Sequence, residues 1–227
     1  MILNLEGVEA LIFDLDGTLI DSMGVWKKID EDFLLKRDIL IPGGYKDAVA
    51  ALSFVEAARY TKDYFSLNDS TDAIIREWMD MARHEYANSI PLKPGAAEFL
   101  EALRKRGIKL GIATGSSELL YEAVLRRHNI RDYFQAICST DGGSRGKSFP
   151  DVFLRAAGIL SARPEACLVF EDIPEAARAA GKAGMKLVGV LDRFSRGRWK
   201  ELEELSIAVI KDYREISIPR LGMVNPE

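Results

Sequence analysis

The chain has 227 residues, of which 48% are hydrophobic and 29% are charged, and its formal net charge is −4. This composition is typical of a globular protein with a sizeable core, and the negative balance argues against a nucleic-acid partner. No run of about 18 apolar residues occurs and the N-terminal segment lacks signal-peptide features, so we expect neither a membrane span nor secretion. Two cysteines in apolar surroundings fit a reducing compartment, and the cytoplasm is the expected location.

Short, continuous apolar runs recur along most of the chain. Such runs are typical of parallel strands that are buried on both faces of a sheet. Helical segments separate them, and the first of these starts at Pro94 and closes with Gly107, as helices commonly do. The alternation predicts an α/β fold with a doubly wound, mainly parallel sheet. The predicted strands are residues 8–13, 108–113, 135–138 (the weakest), 167–170, 186–190 and 207–210, and the predicted helices are 94–107, 116–128 and 174–184.

A helical insertion interrupts this rhythm directly after the first strand. Between about residues 21 and 89 no strand pattern occurs, but amphipathic helices do; Ile75, Trp78 and Ala82 share one face of the last. A segment of roughly seventy residues is far too long for a simple connection between a strand and its neighbour. We therefore predict a helical lid inserted into the α/β core. The predicted domains are residues 1–20 and 90–227 for the core and residues 21–89 for the helical cap.

The stretch LIFDLDGTLIDS, residues 11–22, places two aspartates at the end of the first predicted strand. Asp14 and Asp16 are two residues apart, so their side chains point the same way in an extended chain. Two like charges held together are costly unless a cation lies between them or one carboxyl group is protonated. The simpler alternative is that Asp16 and Gly17 form only a turn.

Other polar residues also follow predicted strands. Thr114 ends the strand at 108–113, Lys147 lies after the weak third strand, and Glu171 with Asp172 ends the strand at 167–170. Each has a simple structural alternative, because threonine and acidic residues cap helices and an isolated lysine is usually solvated. Ligands of open α/β sheets bind at the carboxyl ends of the strands. The convergence of these residues at that edge therefore predicts a binding site.

Together these stretches resemble the motifs of the haloacid dehalogenase superfamily, in its phosphatase and β-phosphoglucomutase-like branch with a helical cap. The resemblance covers residues 8 to 192, includes the position of the helical insertion, and implies a Rossmann-like core. DLDGTLIDS is similar to the first motif of the family, Thr114 to the second, Lys147 to the third, and Glu171 with Asp172 to the fourth.

The resemblance implies a mechanism of phosphoryl transfer. Asp14 would be the nucleophile and would form an aspartyl-phosphate. Asp16 would protonate the leaving oxygen and then activate the hydrolytic water. A Mg²⁺ ion would be held by the Asp14 carboxylate, the Asp16 main-chain carbonyl and Asp172, with assistance from Glu171.

The resemblance also implies the groups that bind the phosphoryl oxygens, which are Thr114, Gly115 and Lys147. Three positions depart from the family pattern. Ile173 replaces a serine and Ala176 replaces a glycine after the acidic pair, and Ser148 replaces a proline after Lys147. We expect the core chemistry to persist despite these changes.

The implied activity is that of a Mg²⁺-dependent phosphatase acting on a small phosphorylated metabolite, such as a sugar phosphate, as a monomer or weak homodimer. A phosphomutase of the β-phosphoglucomutase type is the alternative, although the cap lacks the arginine-and-glycine loop associated with that specificity. A third reading is a non-catalytic module in which phosphorylated Asp14 acts as a switch. The presence of Asp16 argues against it, because a switch needs no general acid.

Overall fold

The central strand of the sheet consists of Ala10–Phe13 (β1), and all four of its residues are fully buried. The structure is a computed structural model that describes residues 1–50, 52, 54–141 and 145–219, and only the backbone of residues 46, 47 and 50. Gly7 has a φ of +72° and lies in the turn before β1. The strand begins at Ala10 and is thus shorter than the run 8–13 that the sequence suggested.

Within the described residues, the sheet has six strands in the order β3-β2-β1-β4-β5-β6, and all neighbouring pairs are parallel. This confirms the predicted doubly wound α/β fold. The strand that the sequence predicted most weakly is present as β3. The remaining strands are Lys109–Thr114 (β2), Ala136–Ser139 (β3), Cys167–Glu171 (β4), Lys186–Val190 (β5) and Ala208–Ile210 (β6).

Among the described residues, several helices follow one another between β1 and β2. From β2 onwards, helices alternate with strands. The helices before β2 are Val25–Leu35 (α1), Tyr45–Ala50 (α2), Phe54–Tyr64 (α3), Thr71–Asn88 (α4) and Ala96–Lys105 (α5). The later ones are Glu118–Arg127 (α6), Asp151–Ile159 (α7), Pro174–Lys182 (α8) and Trp199–Leu205 (α9). Short 3-10 helices span Arg131–Tyr133, Pro164–Ala166, Arg193–Arg198 and Tyr213–Glu215. None of the described helices is long and apolar enough to cross a membrane.

The chain divides into two compact units, Met1–Ser22 with Pro91–Glu227, and Met23–Ile90. The second unit is helical in its described part. Its helix α4 begins after Ser70, whose hydroxyl accepts a hydrogen bond from the Ala73 N–H. The buried face of α4 consists of Ile74, Trp78, Ala82 and Tyr86, so Ile74 takes the core position that the sequence analysis gave to Ile75.

The two faces of the sheet bury different side chains. One face packs against α7 and α8, and four alanines of α8 are buried there. The opposite face carries an aromatic cluster, in which the rings of Phe13 and Phe170 stack with centroids 4.9 Å apart. Phe99, Phe134 and Tyr213 also belong to this cluster. Phe13 ends β1 and its partner Phe170 is the residue before the last of β4, so the cluster lies directly beneath the edge at which the acidic motifs emerge.

Candidate active site

The loop after β1 is closed by its own hydrogen bonds and presents the first two aspartates. The Asp14 N–H donates to the Phe170 carbonyl of β4 over 2.9 Å, which extends the β1–β4 pairing by one residue. Gly17 has a φ of +84°, a conformation that favours glycine, and its N–H donates to the Ile20 carbonyl. Asp16 and Gly17 therefore do form a turn, and the turn belongs to the site.

Three carboxylates from two neighbouring strands meet at this edge. Asp14 follows β1, Glu171 ends β4 and Asp172 follows it; one oxygen of each lies within 4.8 Å of the others. Their exposed fractions are 4%, 0% and 1% respectively. The convergence arises because Phe13 pairs with Phe170 in register, so the next residues of both strands lie side by side.

Lys147 adds a positive charge to the acidic group. Its ammonium donates to Asp14 Oδ1 and to Glu171 Oε2, each over 2.5 Å. Lys147 comes from the loop between β3 and α7, although β3 is separated from β1 by β2. The loop therefore brings the ammonium across one strand to the carboxylates.

Burial sets the protonation behaviour of this group. Desolvation, together with the charge of Glu171, outweighs the attraction of Lys147 and raises the pKa of Asp14 from 3.8 to about 7. Desolvation and the neighbouring carboxylates also raise the pKa of Asp172 well above its usual range. The attraction of Asp14 and Glu171 outweighs the burial of Lys147 and raises its pKa, so it remains an ammonium. One lysine therefore does not fully compensate three carboxylates.

The residues present fit a hard divalent cation. Asp14 Oδ2 and Asp172 Oδ2 are buried and have no hydrogen-bond partner among the described residues. Unpaired buried carboxylate oxygens are costly, and a cation that binds oxygen ligands would remove that cost. The set is purely carboxylate, which suits Mg²⁺ better than the softer metals that prefer thiolate or imidazole ligands.

Metal-free protein is therefore expected to lose stability as pH rises. Between pH 3.8 and about 7 the folded state keeps a proton on Asp14 that the unfolded chain has already released. The free energy of unfolding then falls through this window, by roughly 2–4 kcal/mol for this carboxyl group alone. Addition of Mg²⁺ should raise the Tm by about 5 °C or more at pH 8 and by about 1 °C at pH 5. Thermal unfolding in EDTA and in Mg²⁺ at both pH values measures this.

Matched ionic strength from NaCl controls for general screening of surface charges. An equal effect of Mg²⁺ at pH 5 and pH 8 would contradict a cation site built on Asp14.

The side chain of Asp16 lies in a separate hydrogen-bond network. Its Oδ1 accepts from the Ser22 hydroxyl over 2.6 Å, and its Oδ2 accepts from the Ser116 hydroxyl over 2.5 Å. Ser116 follows β2, and its carbonyl in turn accepts from the Ser139 hydroxyl at the end of β3. Both oxygens of the carboxylate are thereby fixed in direction. The sequence analysis singled out neither serine, although both lie within its motifs.

The second motif contributes a buried threonine and an exposed glycine. Thr114 ends β2, is fully buried, and accepts from the Ser116 N–H over 3.0 Å through its hydroxyl oxygen. Gly115 is exposed, and a Cβ there would meet nothing closer than the Thr140 hydroxyl at 4.0 Å. Thr114 therefore shapes the turn that brings Ser116 to Asp16. The described contacts join Lys147, but not Thr114, directly to the acidic group.

Two of the three departures from the family pattern, Ile173 and Ala176, are accommodated locally. The Ile173 N–H donates to Glu171 Oε1 over 3.1 Å, as does the Asp172 N–H. These bonds fix the Glu171 carboxylate without the hydroxyl that a serine would offer. Ala176 lies in the first turn of α8 and is 2% exposed within the core, so its methyl group is packed rather than strained.

Comparison with known proteins agrees with this geometry. The sequence model of the haloacid dehalogenase-like hydrolases matches residues 8–184, which is more than half of the chain. The chain belongs to this family. The family prediction made from the motifs is thus confirmed, and membership identifies the chain as a hydrolase-family enzyme.

Relatives within the family include phosphatases and a mutase. The chain is 31% identical to the β-phosphoglucomutase of Bacillus subtilis, over 81% of this chain and 83% of that one. It is 29% identical to a fructose-1-phosphate phosphatase of Escherichia coli, over 82% and 97% of the two chains. A crystal structure from Thermotoga maritima that carries a β-phosphoglucomutase assignment superposes with a TM-score of 0.81 at 25% identity, over 90% and 94%.

Proposed function

We propose that the protein is a Mg²⁺-dependent phosphatase that hydrolyses a small phosphorylated metabolite through an aspartyl-phosphate on Asp14. The observation that carries the proposal is the buried group of Asp14, Glu171 and Asp172 with Lys147 bridging two of them. The excess buried negative charge of this group favours binding of a cation. The bound cation would in turn attract the anionic phosphoryl group of a substrate. Family membership and phosphatases among the relatives support the same activity.

The residues divide the chemistry between them. Asp14 would attack phosphorus in line with the leaving oxygen, and the P–O bond to that oxygen would break. Asp16 would give its proton to the leaving oxygen and later take one from the attacking water. Lys147 would bind the phosphoryl oxygens and offset their charge. The cation, when bound by the carboxylates, would supply positive charge next to the phosphoryl group.

The role of the Asp16 network can be tested at Ser116. Replacement of Ser116 by alanine removes the hydrogen bond to Asp16 Oδ2 and leaves the one from Ser22. We expect kcat to fall about tenfold because the general acid is less well oriented, with a smaller change in KM. Steady-state phosphate release measures both constants.

The neighbouring Ser117 supplies a matched control. Its hydroxyl has no partner among the described residues, so Ser117→Ala should change kcat by less than about twofold. Equal losses of kcat in Ser116→Ala and Ser117→Ala would show that the conformation of the loop, and not the hydrogen bond to Asp16, determines the rate.

A phosphomutase is the second candidate, and the similarity to the β-phosphoglucomutase of Bacillus subtilis favours it. The two activities differ in whether water or a sugar hydroxyl attacks the aspartyl-phosphate. Purified protein should be incubated with a panel that includes fructose 1-phosphate, glycerol 3-phosphate and β-glucose 1-phosphate, with and without a sugar bisphosphate. Phosphate release without sugar isomerisation supports the phosphatase; bisphosphate-dependent isomerisation without phosphate release contradicts it.

We further propose that the helical unit Met23–Ile90 acts as a lid. Retention of a stable phospho-form without turnover of any panel member would instead favour the switch module. The location in the cytoplasm and the state as a monomer or weak homodimer are likewise proposed.

A further inference from the structure

Tyr213 lies beneath the acidic group and comes from the far end of the chain. It begins the 3-10 helix after β6, outside the residues 8–184 that the family model matches. Its side chain is 2% exposed, and its ring centroid lies 5.8 Å from that of Phe170 and 6.5 Å from that of Phe13. These two phenylalanines immediately precede Glu171 and Asp14. The ring therefore packs under both strands that carry the carboxylates.

The Tyr213 hydroxyl connects to Asp172 through one residue. It donates to the Thr18 carbonyl over 3.3 Å, and the Thr18 hydroxyl donates to Asp172 Oδ1 over 3.2 Å. Thr18 is fully buried. Burial raises the pKa of Tyr213 well above its usual range, so the phenol keeps its proton and remains a donor. Asp172 Oδ2 is the oxygen that has no partner among the described residues.

The segment that carries Tyr213 is fixed to the core by its backbone. The Tyr213 N–H donates to the Pro94 carbonyl over 3.0 Å. Gly95 has a φ of +78°, and a Cβ there would lie 2.7 Å from the Arg214 backbone nitrogen. Only glycine permits this close approach. The position of the phenol is thus set by the start of α5 as well as by the aromatic cluster.

We propose that Tyr213 is a positioning residue that, through Thr18, holds Asp172 with one oxygen directed at the cation site. The inference rests on the proposed function, because it assumes that Asp172 binds the cation. Groups that orient a metal ligand commonly change metal affinity by tenfold or more when removed, and a partner one residue further away should contribute less. The family motifs alone do not reveal this contribution, since Tyr213 lies outside them.

Tyr213→Phe isolates the hydroxyl because it keeps the ring in the aromatic cluster. Calorimetric titration of metal-free protein with Mg²⁺ at pH 7.5 should show a dissociation constant weakened about three- to tenfold. The Tm without metal should fall by only a few degrees. Tyr45→Phe is the matched control, because it removes another buried phenol hydroxyl, one that is hydrogen-bonded to Thr61 and not connected to Asp172. It should lower the Tm and leave the dissociation constant within twofold of wild type.

A double variant tests the route through Thr18. Thr18→Val removes the hydroxyl that donates to Asp172 and should itself weaken Mg²⁺ binding. If Tyr213 acts through Thr18, adding Tyr213→Phe to Thr18→Val should weaken binding by less than twofold further. A Tyr213→Phe dissociation constant within twofold of wild type, or full additivity in the double variant, would overturn the inference. Wild-type protein that binds no Mg²⁺ would instead overturn the proposed function, and this inference with it.

Discussion

Asp14→Asn is expected to lower phosphate release from a generic phosphomonoester at least a thousandfold. The amide lacks the anionic oxygen that would attack phosphorus, and a lost nucleophile typically costs that much or more. The fold should persist, because the replacement is close in size and removes a carboxyl group whose burial already raises its pKa to about 7. In EDTA at pH 8 the variant should unfold at a higher temperature than wild type, which a Tm measurement shows.

The control makes the same chemical change elsewhere in the α/β unit. Asp132 is exposed, so Asp132→Asn should leave both turnover and Tm unchanged. Turnover by Asp14→Asn within tenfold of wild type would remove Asp14 as the nucleophile. If Asp14→Asn loses its near-UV circular dichroism, and hence its fold, Asp14→Glu tests the role of Asp14 as the nucleophile. This variant should also be inactive, because its carboxylate is displaced.

Asp172→Ala is expected to weaken Mg²⁺ binding about a hundredfold. The change deletes one of the three carboxylates that meet within 4.8 Å and leaves Asp14 and Glu171 in place. Loss of one anionic ligand from a site for a hard divalent cation removes a large part of its affinity. The Mg²⁺ concentration that gives half-maximal activity and the calorimetric dissociation constant should rise together.

Asp192→Ala is not a suitable control for this experiment, because Asp192 pairs with the buried Lys93. Asp132→Ala serves better, because Asp132 is exposed and lies in the 3-10 helix before β3, outside the loop that carries Lys147. Its Mg²⁺ dependence should match that of wild type. An Mg²⁺ titration of Asp172→Ala that coincides with wild type would exclude Asp172 as a ligand.

The sequence predicted the sheet and the meeting of the acidic residues for a simple geometric reason. Parallel strands end at one edge, so Asp14 after β1 and the pair Glu171 and Asp172 at the end of β4 had to emerge near each other once both runs were read as strands. The in-register pairing of Phe13 with Phe170 then makes the carboxylates of Asp14 and Glu171 direct neighbours. The order of the strands in the sheet could not be predicted from the sequence, because each apolar run fits any position in the sheet.

Side-chain connections across long sequence separations were not predictable from local pattern. The bond from Ser116 to Asp16 joins residues 100 positions apart and depends on rotamers of both. The bond from Tyr213 to Thr18 joins residues 195 positions apart. No periodicity or motif spacing carries that information, since the hydrogen bonds depend on how two loops pack after the sheet has formed.

The buried face of a helix and the presence of a short helix are also difficult to predict from sequence. Ile74 and Ile75 are adjacent and equally apolar, so periodicity distinguishes them only if the phase of α4 is known to one residue. The i, i+4 series through Trp78 includes Ile74 and not Ile75, and the structure follows that series. Helix α7 was not identified from sequence, although Pro150 precedes it and Asp151 occupies its first turn.

Whether Asp14 and Asp172 share one cation can be seen in a crystal structure of the protein soaked with Mn²⁺, with anomalous diffraction measured at the manganese edge. Manganese accepts the same oxygen ligands as magnesium and is visible in anomalous maps. We expect one strong peak bound by oxygens of both Asp14 and Asp172, close to Glu171. A crystal in which manganese binds elsewhere, while the Asp14 and Asp172 carboxylates hold no cation, would contradict it.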